Sequence, residues 1–203
     1  MDRSFRRLRG WTSLDQGQAL VEFTLVFPIF VMLLVGFVEF VFVLNGVLAV
    51  DLASRGATLA ATEGGSDGRS DCAILKSVED DLGAPADRTH IQLVEIFSAT
   101  ATGAHLGPET TYARTGTMTC NLLDGTRLTL PYTVTVDGYP PADRCTLLRG
   151  CGAAAGTTGA SVDHVGVRIV YRHSWRTPFP TIIASGPYLT IERSNVMRME
   201  PEG

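Results

Sequence analysis

Apolar residues are concentrated in one long run near the N-terminus. It extends from Ala19 to about Val50 and is interrupted by Glu22, Glu39 and Asn45. A helix needs roughly 20 apolar residues to cross a bilayer, so the run predicts one membrane span. Helical spacing continues to Thr62. A helix from Ala19 to Thr62 would be about 65 Å long at ~1.5 Å per residue and would project well beyond the membrane.

The outer part of this predicted helix carries small residues four positions apart. They are Ala49, Ala53, Ala57 and Ala61. This spacing places them on one helical face, and a face of small side chains allows another helix to approach closely. Gly64 and Gly65 follow, and glycine is typical just past the last turn of a helix. We therefore expect the helix to end there and to offer this face to a partner helix.

The remaining two thirds of the chain is a mixed, Thr- and Gly-rich sequence. A short amphipathic helix is predicted over CAILKSVEDDLGA (72–84), after a polar turn. The predicted strands are 90–99, 126–139, 165–175 and 188–196. The third alternates, with Val165, Val167, Ile169 and Tyr171 on one face. Pro140-Pro141 and 150–161 indicate loops. The fold class predicted is α+β: a long N-terminal transmembrane helix followed by a small, mostly antiparallel α+β exported domain.

Charge adds an orientation and excludes one class of partner. The net charge of the 203 residues is −4 and no basic stripe runs along the chain, which argues against nucleic acid. Before the apolar run stand four arginines, Arg3, Arg6, Arg7 and Arg9. Arginines beside a first span tend to stay in the cytoplasm. We expect a single-pass protein of the cell membrane, with its N-terminus cytoplasmic and its C-terminal domain extracytoplasmic.

The four cysteines all follow the predicted span: Cys72, Cys120, Cys145 and Cys151. An even number in an exported domain favours disulfides, and three pairings are possible. A small loop closed by Cys145 and Cys151, with Cys72 joined to Cys120, is slightly favoured. A zinc site is the alternative, but no C-x-x-C pair or nearby histidine supplies the usual ligand spacing. No metal is therefore expected.

A carboxylate at the start of the apolar run needs an explanation. In GQALVEF, Glu22 follows Gly17 by five residues and immediately precedes an uncharged stretch from Phe23 to Val38. Ionised residues at such depth are rare without a function or a partner. A secretory signal peptide predicts a shorter apolar core, although Val47-Leu48-Ala49 would pass as its cleavage site. Neither that interpretation nor an ordinary membrane anchor accounts for Glu22.

The segment GQALVEF resembles the processing site of type IV pilins, with glycine before the cut and glutamate at the fifth mature position. With the apolar residues that follow and ASRGATLAA, it looks like the TadE family, the minor pseudopilins of the tight-adherence (Flp, type IVc) pilus system. The resemblance is dense over 16–62, and VGVRIVYRHSW and SNVMRMEP are similar to the closing strands of larger TadE-like proteins. It implies a leader (1–17), a transmembrane and extended helix (18–62) and an extracytoplasmic domain (63–203).

The resemblance also implies roles for individual residues. A prepilin peptidase would cut after Gly17 and leave Gln18 with a new α-amino group. Glu22, with the aromatic Phe23 beside it, would pair with the ammonium group of a neighbouring subunit and set the register of assembly. Pro28 removes one helical hydrogen bond and predicts a kink or local melting. Glu39 has no definite role; a contact with a partner helix and a plain interfacial position are both open.

Catalytic chemistry is not indicated. There is no G-x-S-x-G elbow and no Walker-type phosphate loop, and His164 and His173 would point to opposite faces of a strand. His90 and His105 have no clustered acidic partners. The strand aromatics, Tyr132, Tyr171, Trp175 and Phe179, are expected in the core. We expect no enzyme activity and no cofactor.

The function predicted is that of a TadE-like minor pseudopilin in the assembly of Flp pili. Its expected partners are a prepilin peptidase, other pilins or pseudopilins, inner-membrane pilus assembly proteins and the lipid bilayer. The alternative is a single-pass membrane-anchored extracytoplasmic binding domain with no pilus role.

Overall fold

The structure is a computed structural model that describes residues 12–146, 162–177 and 186–199. The four arginines before the span, the predicted loop 150–161, Cys151 and Phe179 lie outside these residues. Helix α1 extends from Thr12 to Gly64, a length of 53 residues. Gly65 follows with φ of 51°, a left-handed conformation that glycine adopts without strain and that ends helices. The helix begins before the predicted cut and ends where the two glycines predict.

α1 changes character along its length. Its large apolar side chains from Leu20 to Leu34 are all exposed, whereas Glu39, Gly46 and Val50 are buried against the rest of the chain. Pro28 lies inside the helix, which continues through it, so the backbone does not melt there. In the described part of the chain α1 is the one helix long and apolar enough to cross a membrane.

The domain after α1 is one helix on an antiparallel sheet. Helix α2 is Ser70–Asp81, and the strands are β1 Ile91–Ala99, β2 His105–Ala113, β3 Met118–Asn121, β4 Arg127–Leu130, β5 Thr133–Asp137, β6 His164–Ser174 and β7 Tyr188–Arg198. Five of them form a sheet of order β5-β2-β1-β6-β7, and β3 pairs with β4 in a separate hairpin. All pairs are antiparallel. The α+β class with a long N-terminal helix is confirmed.

Two predicted features of the strands are wrong. The segment 126–139 is not one strand but two, β4 and β5, which belong to different sheets. β2 and β3 were not predicted, because β2 includes Gly107 and Pro108 and β3 is four residues long. The alternation predicted for 165–175 is confirmed: Val165, Val167 and Ile169 are fully buried, while Arg168 and Val170 on the other face are less so.

The small-residue face of α1 is covered by its own domain. Ala53, Ala57 and Ala61 are completely buried, and α1 contacts α2, β6 and β7. Gly56 lies so close to α2 that a Cβ there would overlap the carboxylate of Asp81. The small side chains do permit close packing against a helix, as expected, but that helix is α2 of the same chain, so this face is not available to another pilin.

The sheet runs alongside the outer half of α1. A Cβ on Gly46 would lie 3.5 Å from Ile191 and 4.0 Å from Tyr171, and twelve residues further along, Thr58 Oγ1 is 3.4 Å from the carbonyl oxygen of Asn195. β7 therefore leads away from the apolar segment and β6 leads back towards it. Consequently the C-terminal end of β6 and the N-terminal end of β7 lie beside Glu39, at the level where the exposed apolar segment ends.

A disulfide and two buried polar clusters hold α2 in place. Cys72 in α2 is joined to Cys120 in β3, across a sequence separation of 48, which is the pairing favoured from the sequence. A crosslink over such a loop contributes roughly 2–4 kcal/mol to stability. The suggested Cys145–Cys151 loop includes a residue outside the described part of the chain and stays a prediction.

Candidate functional site

The segment predicted to be processed is helical and accessible. All side chains from Gly17 to Phe23 are exposed. Gln18 Nε2 donates a hydrogen bond to Glu22 Oε1 at 3.1 Å, across one helical turn. The ring of Phe23 lies 5.1 Å from that of Phe27, centroid to centroid. The structure thus brings Gly17, Gln18, Glu22 and Phe23 together at the start of the exposed apolar segment.

Gly17 lowers the stability of the helix at the predicted cut. A protease binds its substrate in an extended form, so the helix must open locally before the bond after Gly17 can be cut. Glycine costs a helix roughly 0.5–1 kcal/mol relative to alanine, and a Cβ at Gly17 would meet nothing within 4 Å. The glycine is therefore not required by packing in this chain, and its presence favours local opening.

The charge of Glu22 is not compensated in the described part of the chain. Its hydrogen-bond donor there is the neutral Gln18 amide, and its side chain is exposed on an otherwise apolar surface. A carboxylate beside hydrocarbon is stabilised by pairing with a cation. The carboxylate of Glu22 is thus available to form an ion pair with an ammonium group of another molecule.

One segment of the chain matches a known protein family, and this segment lies entirely within α1. Residues 17–58 match the TadE-like protein family. The resemblance seen in the sequence is confirmed over this segment. It begins at the glycine before the predicted cut and ends inside the part of α1 that packs on the domain. No curated protein and no solved structure matches the chain.

The TadE-like match indicates that the chain is associated with the Tad/Flp pilus system in general. It also suggests that its partners are other pilus proteins. TadE-like proteins are pilus components rather than a family of enzymes. The single N-terminal apolar helix fits a single-pass membrane anchor.

Glu39 forms the second part of the site. Its side chain is buried, with 3% of its surface exposed. Oε1 accepts the backbone N–H of Arg176 at 3.1 Å, and Oε2 accepts the backbone N–H of Thr177 at 2.8 Å. His173 Nε2 lies 3.5 Å from Oε1. Both oxygens are therefore engaged by the chain that follows β6, and we call this contact the Glu39 latch.

Glu39 has neither of the two roles left open for it by the sequence. It neither faces a separate helix nor sits free at an interface, because the chain just after β6 folds over it. Its partners are 137 and 138 residues away in sequence, so no local motif reveals them. One signal was present: Glu39, Gly46, Val50, Ala53 and Ala57 share one helical face at spacings of seven, four, three and four, and that face is the buried one.

Trp175, next to the latch, packs against His173. The ring of Trp175 meets that of His173 edge-on at 5.8 Å, and the indole N–H donates to the carbonyl oxygen of Gly186 at 3.0 Å. Trp175 is half-buried, while Tyr132 and Tyr171 are fully buried. The expectation of core aromatics holds for the two tyrosines, and Trp175 lies at the boundary of the domain.

His105 does have acidic partners, contrary to the sequence analysis. Its Nε2 is 3.3 Å from Glu95 Oε1 and 3.1 Å from Glu109 Oε2, a grouping of a kind that can hold a metal ion. These residues come together because β1 pairs with β2, which places Ala99 opposite His105 and Phe97 opposite Glu109. No sequence spacing indicated this, since Glu95 and His105 belong to different strands.

The hydrogen bonding of this cluster favours a donor role for His105 over metal ligation. The N–H of Gly107 donates to His105 Nδ1 at 3.0 Å, so Nδ1 carries no proton and Nε2–H points at the carboxylates. A histidine that binds metal through Nε2 usually donates from Nδ1 instead. Arg168 also pairs with Glu95 and already compensates its charge.

Two buried tyrosine–carboxylate–arginine clusters lie between α2 and the sheet. Tyr112 donates to Asp71 at 2.6 Å, and Arg144 pairs with the same carboxylate. Tyr132 donates to Glu79 at 2.7 Å, and Arg114 pairs with that one. Burial, together with the adjacent carboxylate, raises the pKa of both tyrosines well above the ordinary value. Each cluster pairs a carboxylate of α2 with a tyrosine and an arginine from outside that helix, and so holds α2 in place.

Proposed function

We propose that the chain is a TadE-like minor pseudopilin of the Flp pilus system, made as a precursor that a prepilin peptidase cuts after Gly17. Residues 1–17 are then a cytoplasmic leader, 18–62 the membrane and extended helix, and 63–203 the extracytoplasmic domain. The observation that carries the proposal is the pair Gly17 and Glu22, exposed at the start of an apolar helix within the TadE-like match.

The dimensions of α1 support this arrangement. A span of roughly 20 residues that begins at Gln18 reaches the hydrocarbon boundary near Glu39. That is where the exposed apolar segment gives way to a helix covered by the domain on one face. The cut would therefore fall at the cytoplasmic boundary and the domain would begin at the opposite one.

Glu22 then acts in assembly. After cleavage the new ammonium group of Gln18 belongs to the residue one helical turn before the carboxylate. In a bundle of such helices, Glu22 of one subunit pairs with the ammonium group of a neighbour. Breaking a buried pair by removing one partner costs about 3–5 kcal/mol, so a subunit out of register would bury two uncompensated charges. The interaction selects register and takes no part in catalysis.

The surface for other pilus proteins lies on the face of α1 opposite the domain. Leu44, Leu48, Leu52 and Leu59 are each 44–61% exposed and fall within one side of the helix at 3.6 residues per turn. Phe30 and Phe37 continue that side into the membrane segment and are also exposed. Helices of other pilins would pack here, because the alanine face is already occupied.

The decisive experiment is N-terminal sequencing of the protein purified from the membranes of the cell that makes it. We expect the mature chain to start at Gln18. Gly17→Ile should accumulate as the precursor, because the large side chain would occupy the space that glycine leaves beside the bond to be cut. Gly36→Ile, the same change in the same helix away from the cut, should be processed normally.

The other outcomes lead to different functions. An intact Met1 would contradict processing and leave the membrane-anchored binding domain as the simplest account. A chain starting at Val50 would mean conventional secretion, and it would remove the Glu39 latch from the mature protein.

A further inference from the structure

The Glu39 latch fixes the height of the sheet above the membrane. Glu39 lies at the outer end of the apolar segment, and its two oxygens bind the backbone of Arg176 and Thr177. Because Ser174 pairs with Tyr188, the start of β7 lies at the same level. This end of the sheet therefore sits where the proposed span leaves the hydrocarbon.

The side chains at this end are those that favour a lipid–water boundary. Tyr188 is 44% and Leu189 37% exposed, and Trp175 is half-buried beside them. Arg172 and Arg176 are exposed, and the guanidinium of Arg172 lies 4.1 Å from the centre of the Tyr188 ring. We call Arg172, Trp175, Arg176, Tyr188 and Leu189 the membrane-proximal edge.

Each type of residue in the membrane-proximal edge has a reason to be there. Tryptophan and tyrosine are enriched at headgroup level because their rings are apolar at one end and polar at the other. Arginines near the surface are attracted to anionic lipids. On α1 itself, the exposed rings of Phe37 and Phe40 flank Glu39 in the sequence and so lie at the same level as the edge.

We propose that the membrane-proximal edge rests on the headgroups of the bilayer that α1 crosses, with Arg172 and Arg176 binding the phosphates of anionic phospholipids. The inference depends on the proposed membrane insertion of α1 but not on cleavage after Gly17. The partner is the lipid surface itself; a protein partner at this edge is the competing outcome.

The test uses the two tryptophans of the chain, Trp11 and Trp175. In full-length Trp11→Phe, Trp175 is the sole tryptophan. The protein is reconstituted in phosphatidylcholine–phosphatidylglycerol vesicles whose acyl chains carry bromine either near the headgroup or near the methyl end. We expect strong quenching of Trp175 by the shallow bromines and several-fold weaker quenching by the deep ones.

A matched control places a tryptophan at the far end of the sheet. Leu106 is 57% exposed and neighbours His105, which pairs with Ala99 at the end of β1 away from Glu39. The triple variant Trp11→Phe, Trp175→Phe, Leu106→Trp should be unquenched by either lipid. Equal quenching at positions 106 and 175 would mean that the domain lies flat on the membrane, which would overturn the assignment of this edge.

The contribution of Arg172 and Arg176 to lipid binding is tested by comparing two double variants. Arg172→Gln with Arg176→Gln should abolish the difference in Trp175 quenching between vesicles with and without phosphatidylglycerol. Arg127→Gln with Arg198→Gln removes the same charge from exposed positions elsewhere and should preserve the difference. Equal behaviour of the two double variants would refute phosphate binding by the edge.

Different results would contradict the membrane insertion of α1 and the lipid contact of the membrane-proximal edge. If the chain resists extraction by alkaline carbonate yet Trp175 is unquenched in vesicles, α1 is inserted and the lipid contact is wrong. Unquenched Trp175 in vesicles, combined with a blue-shifted and shielded Trp175 in native membranes, would assign the edge to a protein instead. If carbonate releases the chain, the membrane anchor itself is contradicted.

Discussion

Two carboxylates, Glu22 and Glu39, lie within the apolar part of α1, and their surroundings differ. Glu39 is buried and accepts two backbone N–H groups, whereas Glu22 is exposed and has the amide of Gln18 beside it. Each buried hydrogen bond to a charged group stabilises by roughly 1.5–3 kcal/mol, so Glu39 is satisfied within the fold. Among the described residues the carboxylate of Glu22 has only the neutral amide of Gln18 as a donor, which supports different roles for the two residues.

The role of Glu22 can be tested without disturbing the helix. Glu22→Gln keeps the length of the side chain and its hydrogen-bonding capacity toward Gln18 but removes the charge. We expect this variant to be inserted and cut after Gly17 as in the wild type, yet to lose most of its co-purification with other pilus proteins, because the ammonium group of a neighbour has no partner.

Thr24→Val serves as the control for that experiment, since Thr24 Oγ1 bonds to the carbonyl oxygen of Leu20 within the helix. It alters polarity at a nearby exposed position without changing charge and should co-purify normally. Wild-type co-purification of Glu22→Gln would remove the registration role. Failure of cleavage in Glu22→Gln would assign the residue to the peptidase step instead.

At the level of elements, α1 is joined to the sheet by the latch at one end and by alanine packing further along. The latch joins α1 to the chain just after β6, because Arg176 and Thr177 follow Ser174, the last residue of that strand, after Trp175. Burial of Ala53, Ala57 and Ala61 holds the upper part. The two contacts together fix the sheet to the helix at two heights.

Glu39→Ala should weaken this attachment. The substitution leaves the N–H groups of Arg176 and Thr177 without their acceptor, and a buried unsatisfied group costs about 1–3 kcal/mol. We expect a loss of roughly 2–4 kcal/mol in the free energy of unfolding, measured by urea denaturation in detergent with Trp175 fluorescence in the Trp11→Phe background.

Glu63→Ala is the comparison for Glu39→Ala. Glu63 is an exposed glutamate near the end of the same helix, and its replacement should change the unfolding free energy by less than about 0.5 kcal/mol. If the two variants are equally stable, the latch makes no net contribution and the alanine packing alone holds the helix to the sheet.

The sequence predicted the elements whose pattern is strong and local. α1, α2, β1, β6 and β7 were expected because their apolar periodicity is long or regular, and the C-terminal end of α1 carries glycine. β2 was not expected because Gly107 and Pro108 interrupt its pattern. The division of 126–139 was not expected because apolar and β-branched residues continue on both sides of Pro131, which lies between β4 and β5.

The residues of the candidate site also differ in whether a local sequence pattern reveals them. Gly17 and Glu22 form a motif of fixed short spacing and could be recognised directly. The latch and the Glu95–His105–Glu109 cluster depend on which strands become neighbours, and neither has a local signature. The alanine face was recognised as a packing surface, but its partner was assigned wrongly, since spacing describes the shape of a face and not what covers it.

On the scale of the whole molecule, one helix both fits a single-pass membrane anchor and contributes to the core of the domain. The N-terminal arginines predict that the sheet domain is on the extracytoplasmic side, and the disulfide between Cys72 and Cys120 fits an oxidising compartment. The membrane-proximal edge requires the same orientation, because its partner is the leaflet at the far end of the span from Glu22.

Protease protection measures this orientation. With an epitope tag added at the C-terminus, protease applied to intact spheroplasts should remove the tag, while a cytoplasmic marker protein survives. The same chain tagged at the N-terminus before processing should keep its tag until the membrane is lysed. The reverse pattern would place the domain in the cytoplasm and contradict the proposed function.

The continuity of α1 from the membrane segment into the domain has a mechanical consequence. A domain on a flexible linker can tilt and rotate freely, and a pull on it is absorbed by the linker. Here the helix has no break at the membrane boundary, and the latch fastens the sheet to it at that height. In the proposed membrane arrangement, a force on the sheet is therefore delivered directly to the membrane segment as torque or axial load instead of being absorbed by a linker.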